Sequence, residues 1–128
     1  MSAPFVSEDD TLVNADAECV VLVAGDAPAL AACRSAAIKV ASAPVEECEM
    51  KDVATHCAKF HPFAIVLDNS IYEFDPAEFD SLARDVGAQL VRIPTGELSG
   101  FELELMLIAA LNEAHRHRYP SAHQSKKR

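Results

Sequence analysis

Two stretches of this sequence leave little choice of fold. Cys19-Val20-Val21-Leu22-Val23-Ala24 and Phe63-Ala64-Ile65-Val66-Leu67 are unbroken apolar runs rich in β-branched residues, closed by Gly25-Asp26 and by Asp68. A strand that is apolar on both sides needs cover on both faces, the situation of an interior strand in a parallel sheet. Parallel neighbours also need a long crossover, usually a helix.

The segments between and after the runs carry helical patterns. Asp26 can cap a helix with Pro28 in its first turn, so Ala27 to about Ala37 reads as an alanine-rich helix, followed by a short strand at Ile38–Ser42 that Pro44 ends. Glu46 to Phe60 spaces Met50, Val53, Ala54, Cys57 and Phe60 by three and four residues, and His61-Pro62 stops that helix. Asp75-Pro76-Ala77-Glu78 is a capping box leading into Phe79, Leu82, Ala83 and Val86, with Gly87 closing the turn. Ala88–Ile93 reads as a strand ended by Pro94, and Ser99-Gly100-Phe101-Glu102 is a second capping box opening a helix to about Arg118. Four strands alternating with four helices predict an α/β domain, a three-layer α/β/α sandwich around a mostly parallel sheet of four strands. A fifth strand is conceivable at Thr11-Leu12-Val13.

A chain of 128 residues, 50% hydrophobic, matches one such domain. The expected layout is a flexible acidic leader over 1–17 with Glu8, Asp9 and Asp10, a domain over 18–118, and a basic disordered tail over 119–128. Residues 1–112 hold 6 basic and 19 acidic side chains (−13), whereas residues 113–128 hold 5 and 1 (+4). The acidic body disfavours phosphate and nucleic acid. The basic end, with Arg116, Arg118, Lys126, Lys127, Arg128, His115, His117 and His123, reads as solvated because Tyr119 is its only aromatic residue. No apolar run approaches the roughly 18 to 20 residues of a membrane helix, and Met1-Ser2-Ala3-Pro4 has no secretory pattern, so a cytoplasmic protein without membrane contact is expected.

Cys19, Cys33, Cys48 and Cys57 form no Cys-x-x-Cys pair and read as small buried hydrophobes. Cys48, Cys57 and His61 make at best a partial zinc set without a fourth ligand. His56 and His61 read as surface or boundary histidines rather than bases. Glycine-rich nucleotide loops, nucleophile elbows and His-Glu-x-x-His are all absent.

Chemistry in open parallel sheets gathers at the carboxyl ends of the strands, and that edge carries Asp26 and Asp68. Two such carboxylates can hold a hard divalent cation, and one can serve as a nucleophile toward phosphorus. Each also has a simpler use, Asp26 as a helix cap and Asp68 as an acceptor for turn amides.

Val21-Leu22-Val23-Ala24-Gly25-Asp26-Ala27-Pro28 and Pro62-Phe63-Ala64-Ile65-Val66-Leu67-Asp68 resemble the first strand with its acidic turn and the third strand with its phosphoacceptor in bacterial response-regulator receiver domains. Val86–Pro94 resembles the approach to that family's last strand, so the likeness spans roughly residues 18–118. It implies a flavodoxin-like sheet with the first and third strands adjacent at the centre, and Asp68 as phosphoacceptor with Mg²⁺ held by Asp26 and Asp68. The departures weaken that chemistry. Gly25 stands where the family has the first of two acidic residues, and Ile93 stands where it has a lysine before Pro94. The nearest cation, Arg92, alternates with Ile93 and so faces the other side of the strand. Only 25 residues separate Asp68 from Pro94, about half the usual span, so the fold is short by one βα unit. If the last strand is the family's fourth, Thr95 approximates its switch hydroxyl.

The resemblance therefore points to a degenerate receiver, or pseudo-receiver, in which Asp68 is a vestigial phosphoacceptor. The last helix adds a different signal. Phe101, Leu103, Met106, Leu107, Ile108 and Leu111 make an apolar band wider than one sheet face requires, which predicts an interface and, most simply, a homodimer. The expected function is a phosphorylation-independent protein-interaction module in two-component signal transduction, not an enzyme and without a cofactor. The alternatives are a true phosphoacceptor using Asp68 with Mg²⁺, and a small flavodoxin-like nucleotide binder or enzyme.

Overall fold

The structure, a computed structural model, describes residues 19–94 and 98–119. The leader over 1–17, the strand expected at Thr11–Val13, Thr95 and the tail from Pro120 lie outside the described residues.

Four strands, β1 (Val20–Val23), β2 (Val45–Cys48), β3 (Ala64–Asp68) and β4 (Gln89–Ile93), form one all-parallel sheet in the order β2-β1-β3-β4. The two unbroken apolar runs are the two central strands, as their composition requires. Every residue of β1 is buried, as are Ala64 to Leu67 of β3. The chain is thus an α/β three-layer sandwich with the flavodoxin-like arrangement of its first four strands.

Helices α1 (Ala27–Ala41) and α5 (Gly100–Arg118) cover one face, where Leu22, Phe63, Val66 and Ile93 meet Ala36, Leu107 and Leu111. Helices α2 (Val53–Phe60), α3 (Asn69–Tyr72) and α4 (Pro76–Val86) lie on the other face, over Val21, Val23, Ile65 and Leu67. Local signals account for most of the boundaries. Asp26 accepts from the Ala29 amide at 2.9 Å, and Ser99 and Glu102 close a reciprocal capping box at the start of α5. Gly87 ends α4 at φ +73°, which glycine tolerates without strain.

Two expected elements are displaced. Ile38–Ala41, read as a strand, is the last turn of α1, and Ser42 ends that helix in the left-handed region at φ 53°. The strand pairing with β1 is instead Val45-Glu46-Glu47-Cys48, which falls within the stretch read as helix from Glu46. The helix begins only at Val53, after a short 3₁₀ turn over Met50–Asp52. Register explains the exchange: Val20 opposite Val45 and Val23 opposite Cys48 bring a full strand to the sheet, and Pro44 precedes it instead of ending it. The two glutamates suit an edge strand, where charge discourages further pairing.

Candidate functional site

The carboxyl ends of β1 and β3 adjoin, so Asp26 and Asp68 come together as expected. Both line one cavity of about 460 Å³ whose apolar walls include Leu22, Ile93 and Leu103. The geometry commits each carboxylate locally. Asp26 Oδ1 caps α1, and Asp68 Oδ1 accepts from the Ser70 amide at 2.9 Å and from its hydroxyl at 2.8 Å. Ser70, which also lines the cavity, was not singled out from the sequence, although a serine two residues after an aspartate is a familiar turn pattern.

Gly25, in the place of the receiver's first acidic residue, has a packing reason to be glycine. A Cβ there would stand 2.7 Å from Leu22 Cδ2 and 2.9 Å from its Cγ, and Leu22 is 1% exposed between its neighbouring strands. An acidic side chain at this position requires Leu22 to move. Ala24 just before it takes φ 50° while its amide bonds Cys48 O at 2.7 Å, so the chain turns sharply off β1.

No lysine or arginine is among the described residues lining the cavity. Arg92 points to the opposite face, as strand alternation predicted: its guanidinium lies 4.2 Å from the Tyr72 ring centroid and its Nε donates to Asn69 Oδ1 at 3.0 Å. Among the described residues no three His, Cys, Asp or Glu side chains are placed to hold a metal ion. Asp26 and Asp68 alone are a poor fit to the Mg²⁺ that the receiver likeness implies, since a hard cation takes six or more oxygens and Gly25 supplies no carboxylate.

The set Cys48, Cys57 and His61 is not assembled. Cys48 ends β2 beside the end of β1, whereas His61 leads into β3 at its amino end, so parallel strands put the two at opposite edges of the sheet. All four cysteines are buried. Burial pushes the Cys33 and Cys57 thiols from an ordinary 9.0 up to about 12, Cys57 being raised further by Cys48 and Cys19. Burial likewise lifts Cys19 and Cys48 to about 11, with Glu46 and Asp52 adding to the shift. Thiols held protonated in this way are poor nucleophiles and poor ligands.

The expected interface band on α5 divides in two. Leu103, Leu107 and Leu111 are buried against the sheet and α1, so they are core and cannot meet a partner. Met106 and Ile108 are half-buried at the margins of that core. Phe101 is 71% exposed, and Leu105, part of the same apolar run in the sequence, is 50% exposed. A sheet of four strands needs the inner side of the band as cover, and only the outer side is surplus.

The basic end divides as well: Arg116 and His117 are exposed and pair with Glu113, whereas Arg118 and His115 are built into the fold. Arg118 Nη1 donates to Pro62 O at 2.8 Å and Gly87 O at 2.9 Å, and its Nη2 donates to His61 O at 3.0 Å. His115 is buried between Phe63 and Tyr119, with ring centroids 5.2 and 4.7 Å away. Neither role is visible from local sequence, because the acceptors of Arg118 and the Phe63 ring against His115 lie some 30 to 60 residues earlier.

No protein-family model matches this chain, and no curated protein sequence matches it. No helix among the described residues is long and apolar enough to cross a membrane.

Proposed function

We propose that the chain is a phosphorylation-independent interaction module, a pseudo-receiver of bacterial signal transduction that acts by binding other protein surfaces rather than by turnover. The observation that carries this reading is the state of the carboxyl edge. Asp26 and Asp68 are engaged with helix and turn amides, the place of a third carboxylate is a glycine packed on Leu22, and the nearby cation faces away. Phosphoryl transfer to an aspartate needs a metal and a fixed positive charge to neutralise the transferring group. Among the described residues lining this edge there are two carboxylates and no lysine or arginine, which supports binding without phosphoryl transfer. The exposed apolar side chains Phe101 and Leu105 on α5 support a role in binding.

The test is incubation of the protein with Mg²⁺ and a small-molecule phosphodonor, read by intact mass, beside an amide NMR titration with Mg²⁺ and beryllofluoride. The expected result is no added phosphoryl mass and no saturable shift at Asp26, Asp68 or Ser70. An added phosphoryl group that disappears in Asp68→Asn would overturn the reading and install the phosphoacceptor in its place.

A further inference from the structure

The cavity at the carboxyl edge stands where the sheet reverses its winding. The chain leaves β1 toward β2 through α1 on one face, and leaves β3 toward β4 through α3 and α4 on the other, so a crevice opens between the two exits. Open α/β sheets bind small molecules at this reversal. The volume of about 460 Å³ also falls within the roughly 300 to 1,000 Å³ of small-molecule sites. Its walls are of two kinds. The buried Leu22, Ile93 and Leu103 make an apolar side, and Asp26, Asp68 and Ser70 make a polar one, with no lysine or arginine among the described lining residues. The hydrogen bonds that fix the two carboxylates come from neutral donors to Oδ1 of each, so they hold the groups at the wall and leave their negative charge in place.

We propose that this cavity binds a small organic cation, a protonated primary amine that carries an apolar group. The lining selects that class by exclusion and by fit. An anion, a nucleotide included, would meet two carboxylates within an acidic body and no countercharge. A hard metal ion needs six or more oxygens, and half of this wall is hydrocarbon. A neutral apolar molecule would fill the hydrocarbon side but strip water from the carboxylates without replacing it. An ammonium group brings three donors and a positive charge to Asp26, Asp68 and Ser70, while its apolar substituent is buried against Leu22, Ile93 and Leu103. The inference goes beyond the interaction-module reading, because it assigns a small-molecule site at the sheet edge and not a protein-binding surface.

The full chain is titrated with 2-phenylethylammonium at low salt and followed by amide NMR. Three probes that each lack one feature run beside it: neutral 2-phenylethanol, anionic 3-phenylpropionate, and methylammonium without the apolar group. The expected result is saturable shifts at Gly25, Asp26, Ser70 and Leu103 with a millimolar dissociation constant, and at least about fivefold weaker binding of each of the three probes. Asp26→Asn keeps a side-chain oxygen for the Ala29 amide, so its melting temperature should hold while the amine binds at least about threefold more weakly. The proposal is overturned by an absence of saturable shifts up to about 20 mM amine, by shifts centred outside the cavity, or by an alcohol that binds as tightly as the amine. Unchanged amine affinity in Asp26→Asn overturns it as well. Mg²⁺ alone, saturating the same amides at lower concentration than the amine, also overturns it and returns this edge to a metal.

Discussion

Arg118→Ala is the perturbation most informative about how this fold is held together. The guanidinium joins three carbonyls on two loops, His61 and Pro62 before β3 and Gly87 before β4, from the last residue of α5. A hydrogen bond from a charged donor contributes about 1.5 to 3 kcal/mol when shielded, and less where water can replace the donor. Only the bond to Pro62 is partly buried and the other two are exposed, so about 1.5 kcal/mol for the first and about 0.5 kcal/mol for each of the others is appropriate. The expected loss is about 2.5 kcal/mol, a fall of roughly 10 °C in melting temperature for a domain of this size. Arg118→Lys keeps the charge but cannot reach three acceptors with a planar fork, so about half of the loss should remain. Urea unfolding followed by circular dichroism measures both variants, and an unchanged slope would localise the effect to stability. If Arg118→Ala unfolds within about 0.5 kcal/mol of wild type, as surface substitutions usually do, the clamp contributes nothing and the tail-like reading of this arginine stands.

Three further outcomes follow from the packing and the backbone. Leu107→Ala, at a fully buried position between α5 and the sheet, should cost about 2 to 5 kcal/mol in the same assay, and Leu107→Glu should prevent folding instead of merely disrupting an assembly. Ser42→Gly relieves a left-handed residue at the end of α1 and should stabilise by about 1 kcal/mol, visible as a raised urea midpoint. A thiol reagent at neutral pH should label none of the four cysteines in the native state and all four in urea. Because folding raises the thiol pKa values from 9.0 to about 11 or 12, the unfolded chain loses protons first as pH rises, and native stability should decline from about pH 9 upward.

The sequence by itself determined the class of fold, because that class follows from local physics. The runs at Val20–Val23 and Ala64–Leu67 are apolar on both sides and have no stable home outside the middle of a covered sheet. Capping residues at Asp26, Asp75 and Ser99 act on amides three residues away, so the starts of the three long helices were legible too. The pairing of Asp26 with Asp68 at one edge came from strand order, which the alternation of elements implies.

Tertiary structure alone decided the rest. Ile38 and Val40 favour strands intrinsically, yet they finish a helix because Val45–Cys48 is the segment whose length and register fit beside β1. Whether an apolar residue on α5 is core or surface depended on how much cover a four-stranded sheet requires, which buried Leu107 and left Leu105 in solvent. Gly25 reads as a lost carboxylate in sequence and as a contact with Leu22 in space. Arg118 and His115 belong to a basic run by composition and to the interior framework by position. In each case the deciding interaction joins residues far apart in the chain, so local pattern could not specify it and only the assembled packing did.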